Sequence, residues 1–212
     1  VDSLCLTTLY GFHSLQLTSA TPCRPFDVRR NGISLSEAAA FALLEPPPTS
    51  LDDDAVLLLG TGESSDAYHM SAPHPEGAGA RAAMLAALAS AGLEGTDIGY
   101  INFHGTGTPS NDAAEAHAVA SVLGREIPGS STKGATGHAL GAAGGLEAVI
   151  CALALRHGLM PAGLNTDEVD PALAVNYLRA NREGRLGYVM SNSFGFGGAN
   201  CSLILGSARV LQ

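Results

Sequence analysis

At 212 residues, 46% of them hydrophobic, the chain is long enough for one globular domain, or one and a half, with a sizeable buried core, which argues against disorder. Charged residues make up 15%, below the roughly 25% of average soluble domains, and twenty acidic against eleven basic side chains give a net charge of -9. That balance repels phosphate backbones and anionic headgroups, so no nucleic acid and no membrane is expected as a partner.

The four cysteines, at positions 5, 23, 151 and 201, form no CxxC pair and lack the density of a disulfide-stapled secreted scaffold. They are expected as reduced thiols in a cytoplasmic protein. The opening VDSLCLTTLYGFHS has neither the basic start nor the cleavage site of a signal peptide, and no initiator Met. The chain is therefore expected to begin partway into a longer protein.

In chain order, Leu4 to Leu17 reads as a helix, TPCRPFD as a loop around two prolines, and Ala38 to Leu44 as an apolar run of strand length. Pro46, Pro47 and Pro48, followed by the acidic run Asp52 to Asp54, continue neither a helix nor a central strand and mark the clearest boundary. Beyond it, Ala55 to Leu59 is expected as a buried strand, Gly77 to Ala91 as an Ala-rich helix stopped by Gly92, and Tyr100 to Phe103 as a short strand. Ser110 to Leu123 follows as a helix capped by Ser110 or Asn111, Ile127 to Thr132 as a strand, and Gly137 to Arg156 as a long small-residue helix. Ala135 to Leu155 invites a membrane-span reading, with Gly137, Gly141 and Gly145 in GxxxG spacing. His138 and Glu147 are costly in lipid, which favours a helix buried inside the protein. Ala174 to Leu178, Gly187 to Ser191 and Ala199 to Leu205 read as extended. Strands and helices that alternate and then give way to strands predict an α/β layered architecture whose internal strands are apolar on both faces.

Three polar clusters fall at strand ends or in Gly-rich turns, where an α/β fold places its sites. The first, His104 to Asp112 (HGTGTPSND), follows the strand YINF. Its GxG invites a dinucleotide reading, but Ser110 stands where GxGxxG needs its third glycine, and Pro109 removes a backbone donor. The second, Ser131 to His138 (STKGATGH), leads into the most apolar helix, where Lys133 and His138 are expensive unless paired or used. Glu147 lies nine positions beyond His138, about 900° of helix rotation, so the two face opposite ways. It either compensates Lys133 or is a satisfied buried carboxylate. The third, Ser191 to Asn200 (SNSFGFGGAN), joins two apolar strands. It reads either as a hairpin or as a place where Gly195, Gly197 and Gly198 let a substrate approach the main chain between the walls of Phe194 and Phe196. His69, His74, His104 and His117 show no HExxH or comparable spacing, so no metal is expected.

Together, HGTGT, STKGATGH and NSFGFGGAN, with CRPFD at Cys23 to Asp27 and SDAYHMSAP from Ser65, resemble the C-terminal half of the β-ketoacyl synthases, the condensing enzymes of fatty-acid and polyketide assembly. The resemblance implies a thiolase-like α-β-α-β-α layered fold. Residues 1–48 would be the end of its N-terminal half and 49–212 its C-terminal domain. It implies a decarboxylative Claisen condensation of malonyl-[acyl carrier protein] with an enzyme-bound acyl chain, in which His104 and His138 are the two histidines of a Cys-His-His triad. Lys133 would support them, with Glu147 as its partner. Thr106 and Thr108 would bind the phosphopantetheine arm, Phe196 would supply an oxyanion N–H and gate the acyl tunnel, and Phe194 would help line it. No cofactor is implied beyond the phosphopantetheine on the acyl carrier protein, and the implied assembly is a homodimer or a heterodimer with a related subunit.

The family's nucleophilic cysteine belongs well upstream of CRPFD, whereas only 17 residues separate Cys5 from Cys23, so the nucleophile is expected in a missing N-terminal portion. Cys151 and Cys201 fall in apolar periodic segments and read as structural. Ser36-Glu37-Ala38 stands where the family commonly has Gly-Glu-Gly. A chain-length-factor-like non-catalytic partner subunit is the alternative, disfavoured by the retained histidines and Lys133. A thiolase is disfavoured because phenylalanines replace its expected second cysteine.

Overall fold

The computed structural model describes residues 1–210. Helix α1 (Leu6–Ser14) is shorter than the expected stretch and buries none of its residues. Ala38 to Leu44 is not a strand: Ala38 pairs singly with Asp2, and Phe41, Leu43 and Leu44 are exposed. An apolar run becomes a strand only where a neighbour satisfies its backbone, and none of the described strands lies beside this one. The prolines at 46 to 48 sit within a longer stretch without helix or strand, residues 39–55.

Beyond it the chain runs β1 (Val56–Ser65), α2 (Ala78–Ala91), β2 (Ile98–Asn102), α3 (Pro109–Val122), β3 (Pro128–Ser130), α4 (Lys133–Thr136), α5 (Ala143–His157), β4 (Leu159–Met160), β5 (Asn176–Tyr177), β6 (Arg182–Glu183), β7 (Tyr188–Phe194) and β8 (Ala199–Ser207). Six strands form one sheet in the order β1-β8-β7-β2-β3-β5. β1, β8 and β7 are antiparallel neighbours, while β7, β2, β3 and β5 run parallel. Strands β4 and β6 make a separate pair that the sequence pattern did not suggest, and the expected strand at 174–178 shrinks to β5.

Both faces of the sheet are covered at β2 and β7, which is why those strands lack a polar alternation, whereas the edge strand β1, expected as buried, alternates and leaves Leu58, Thr61 and Glu63 exposed. Ile98 and Ile101 of β2 pack with Met84 of α2 and Val119 of α3, whereas Tyr100 turns to the other face and packs with Cys151 and Leu155 of α5. Successive Tyr100 and Ile101 face opposite cores as strand period two requires, and the register irregularity between Ile98 and Tyr100 returns Ile98 to the face of Ile101. α2 comes unusually close to β1: a Cβ on Gly62 would sit 2.0 Å from the Ala83 carbonyl oxygen, and one on Gly60 2.4 Å from that of Ala87. Ala-rich α2 and the Gly60-Thr-Gly62 stretch are two halves of one close contact.

The expected single helix from Gly137 to Arg156 is broken. α4 ends at Gly137 (φ 69°, ψ -177°), His138 pairs with the backbone of Leu35, and α5 starts only at Ala143 before stopping at left-handed Gly158. The stretch Leu140–His157 is long and apolar enough to cross a membrane by length and composition. In this fold its Cys151, Ala154 and Leu155 are packed against Tyr100 and Val189 of the sheet. Helix α3 begins one residue earlier than expected, with Thr108 at the N-cap and Pro109 in the first turn, where a missing N–H costs nothing.

Candidate active site

The parallel strands β2 and β3 end side by side, with β7 along the other edge of β2, and the three polar clusters leave from their C-terminal ends. Crossover connections place loops at that edge of a parallel sheet, so residues distant in sequence converge there. His104 follows β2, Lys133 follows β3, and Phe194 closes β7.

A cavity of about 530 Å³ opens at this edge, and His104, His138, Thr106, Thr108, Phe194 and Phe196 all line it. The two imidazoles stand edge to face, with ring centroids 5.2 Å apart and planes at 80°. Phe194 lies 5.9 Å from the His104 ring, and Phe196 stacks on Phe12 at 5.5 Å. Lys133 and Glu147 stand behind the cavity wall, both buried, and form an ion pair through Nζ and Oε1. The two open readings of Glu147 therefore resolve: it compensates Lys133.

The lysine's three N–H groups are all committed. Nζ donates to Glu147 Oε1 and to the His104 carbonyl oxygen at 2.6 Å, and faces His104 Nδ1 at 3.4 Å. An ammonium only donates, so His104 Nδ1 accepts and the ring proton rests on Nε2. Burial, with the Lys133 charge and His138 nearby, holds His104 well below the ordinary histidine range. Burial and the same lysine pull His138 down to about 3. Both rings are neutral at pH 7. Burial pushes the Glu147 carboxyl up while Lys133 opposes it.

Two carboxylates that the sequence reading passed over hold the loop carrying His104. Glu115 accepts the backbone N–H groups of His104 and Gly105, both at 2.8 Å, and the Asn192 amide at 3.2 Å. Asp112 accepts from the N–H of Phe26 at 2.9 Å and of Gly107 at 3.2 Å. Their signal was an i, i+3 pair of acids on a helix directly after HGTGT, a spacing that puts both on one face. Thr106 and Thr108 bond to each other through their hydroxyls at 2.8 Å. The Cys23 thiol donates to the Thr106 carbonyl at 3.1 Å, which ties CRPFD to this loop.

The Gly195–Gly198 turn is held from the other side. Asp66 N–H donates to Gly198 O at 2.8 Å, Gly197 N–H to Met70 O at 2.8 Å, and the Asn200 amide to Asp66 Oδ1 at 3.0 Å. None of the four cysteines lines the cavity. Burial pushes the Cys23 and Cys151 thiols up to about 12, away from nucleophile chemistry.

Residues 55–167, just over half of the chain, match the family described as the C-terminal domain of β-ketoacyl synthase. The chain belongs to the β-ketoacyl synthase family. It is 40% identical over 190 residues to 3-oxoacyl-[acyl-carrier-protein] synthase 2 of Vibrio cholerae, covering 85% of this chain and 46% of that protein. It is 41% identical over 194 residues to the mitochondrial 3-oxoacyl-[acyl-carrier-protein] synthase of Arabidopsis thaliana, covering 87% of this chain and 42% of that one. Among solved structures, a ketosynthase in complex with its chain length factor from Xenorhabdus doucetiae is similar over 96% of this chain and 51% of its own, with 46% identity and a TM-score of 0.85. A β-ketoacyl synthase from Burkholderia phymatum matches with 33% identity and a TM-score of 0.83 over 96% of this chain and 52% of its own. The thiolase-like layered fold is thus shared along nearly the whole chain, which spans about half the length of these synthases.

Proposed function

We propose that the protein is a 3-oxoacyl-[acyl-carrier-protein] synthase, and that this chain supplies the part carrying both catalytic histidines. The observation that carries the reading is the pair of neutral imidazoles on one cavity wall, each with Nδ1 occupied as an acceptor and Nε2–H left to donate. In the reaction, the bond between the malonyl α-carbon and its carboxylate breaks, carbon dioxide leaves, and the electron pair is held as an enolate. Two donors aimed at the thioester oxygen stabilise a charge that exists only as the bond breaks, which is where preorganised dipoles help most. The α-carbon then attacks the acyl thioester, and the thiolate leaves.

The nucleophilic cysteine would lie in a preceding portion, consistent with the absence of a cysteine from the cavity wall. Thr106 and Thr108 would receive the phosphopantetheine arm of an acyl carrier protein, the only prosthetic group the reaction uses. The N–H groups of Gly195, Gly197 and Gly198 are taken by Ala199, Met70 and Gly195 carbonyls, which leaves that of Phe196 for an oxyanion. Phe194 and Phe196 would line and gate the acyl path, and Lys133 would act through the field it sets and its hold on His104. Residues 49–212 would form the C-terminal domain and 1–48 the end of the half before it. A dimer, with an identical or a related subunit, and a reducing compartment suited to four free thiols complete the proposal.

In the full-length protein, His104→Ala and His138→Ala are each expected to cut malonyl decarboxylation by about 10²-fold or more while circular dichroism stays unchanged. Unaltered decarboxylation in either folded variant refutes the assignment. A non-catalytic partner subunit would have no use for the two histidines and Lys133; decarboxylation that persists only through a separate subunit would favour that alternative.

A further inference from the structure

The turn that carries Thr106 and Thr108 is held by residues from two other segments. Gly107, between the two threonines, has a left-handed backbone (φ 77°), and its carbonyl accepts from Gly32 N–H at 3.0 Å while its N–H donates to Asp112 Oδ1 at 3.2 Å. The Asn111 amide donates to the same oxygen at 3.1 Å, and Oδ2 accepts from Phe26 N–H at 2.9 Å. Asp112 is fully buried, so its charge needs a partner that solvent does not supply. Arg30 stands in that place. Its Nε lies 3.9 Å from Asp112 Oδ2, and its Nη1 donates to Asp170 Oδ2 at 2.7 Å and to the Asp27 carbonyl at 3.0 Å. Among the described residues no other basic side chain comes within ion-pair distance of Asp112, since Arg24 pairs with Asp167 and Arg29 with Asp27 and Asp167.

The Arg30 side chain is 9% exposed, whereas that of Arg29, which serves the outer carboxylates, is 57% exposed. Turned inward, the guanidinium reaches Asp170 with one nitrogen and faces Asp112 with another, a span that suits a planar fork better than the point charge of a lysine. Its Nε has no hydrogen-bond acceptor, so what it offers Asp112 is charge. Burial pushes the Asp112 carboxyl up, and the Phe26 N–H, the Asn111 amide, the Arg30 charge and the Gly107 N–H oppose it. We infer that Arg30 is a positioning residue for the turn proposed to receive the phosphopantetheine arm: its guanidinium balances the Asp112 carboxylate and so maintains the anchor on Gly107 that sets Thr106 and Thr108 in the cavity wall. The inference rests on the functional reading above for what the threonines receive, and on geometry for the link from Arg30 to the turn.

The test gives the full-length protein two substrates: malonyl-[acyl carrier protein], which carries the phosphopantetheine arm, and the S-ethyl thioester of malonate, which has no arm for the threonines to hold. In Arg30→Gln, kcat/KM for decarboxylation is expected to fall at least about fivefold further with the carrier-borne substrate than with the armless one. A fall of equal size with both, or no fall, overturns the inference, because a merely structural residue does not distinguish the two. The route through Asp112 is read from a double-mutant cycle. In the Asp112→Asn background no carboxylate is left to balance, so adding Arg30→Gln should change the carrier-borne kcat/KM by less than about twofold. The same loss in both backgrounds refutes the link. Where Arg30→Gln does not fold, Arg30→Lys takes its place: it keeps a cation but not the fork, and an excess loss of at least about twofold with the carrier-borne substrate supports the inference, while equal losses refute it. A wild type that decarboxylates neither substrate sinks the functional reading and the inference with it, whereas an active wild type whose Arg30 variants lose both substrates alike sinks the inference alone.

Discussion

Glu115 lies eleven residues beyond His104 yet returns to hold it, with one oxygen on the His104 N–H and the other on the Gly105 N–H. Burial raises its pKa to about 7, while those two N–H groups and Asn192 pull the other way. Glu115→Gln keeps one acceptor but turns an NH₂ toward a backbone N–H. It should lower stability by about 1–3 kcal/mol in urea unfolding and, under the function proposed above, slow decarboxylation by the full-length protein without a matching rise in KM. The Lys133–Glu147 pair behaves differently, because both members are buried and each neutralises the other. Lys133→Met or Glu147→Leu alone leaves an uncompensated buried charge and should cost about 3–5 kcal/mol; the double variant should be more stable than either single one. His138 adds a pH dependence. Its folded pKa of about 3 lies below the ordinary 6.5, so between these values the unfolded chain binds a proton that the native ring refuses. Its contribution to stability is complete above pH 6.5 and is lost as the pH falls toward 3. Urea midpoints should therefore show wild type losing stability relative to His138→Gln across that interval on acidification.

At the scale of elements, the contact between β1 and α2 depends on what is missing from the strand. Gly62→Ala places a methyl 2.0 Å from Ala83 O and 2.4 Å from Ala87 N, both rigid backbone atoms, so strand and helix must separate. A loss of about 1–3 kcal/mol or more is expected. Gly92→Ala, at the C-cap of α2, meets no atom within 4 Å and carries only the penalty of a left-handed φ of 67°, about 1 kcal/mol. Thermal melts should rank Gly62→Ala below Gly92→Ala; the reverse order would show that the strand and helix are free to move apart. A helix end with an unambiguous local signal was legible beforehand, as where Gly92 stops α2; α3 starts within a residue of the expected place, but its N-cap is Thr108 and not Ser110 or Asn111. The helix read as continuous from 137 was not legible, because alanines and glycines suit a helix interior and a tight turn equally well. Pairing of His138 with Leu35, more than a hundred residues away, breaks it.

Across the molecule, burial is uneven. Two cores flank the six-stranded sheet, while α1 buries nothing and Val1, Leu6, Tyr10, Phe41, Leu43 and Leu44 are exposed. Amides in α1 and residues 39–55 should accordingly exchange with solvent much faster than those of β2 and β7 when the 212-residue chain is studied alone, as hydrogen-exchange mass spectrometry would show. Equal protection in α1 and β2 would mean that another surface covers the first segment.

The residue types of the site, its order along the chain, and the family could be read from HGTGT, STKGATGH and NSFGFGGAN, because each cluster follows or joins apolar strands and its chemistry is carried by side-chain identity. The same letters left Glu147 with two readings and gave Glu115 and Asp112 no role. Only the tertiary structure decided those. Whether a buried carboxylate meets an ammonium, whether an acid on a helix reaches back to a loop, and which ring nitrogen a peptide N–H finds all depend on distances between elements far apart in sequence, set by how helices seat on a twisted sheet.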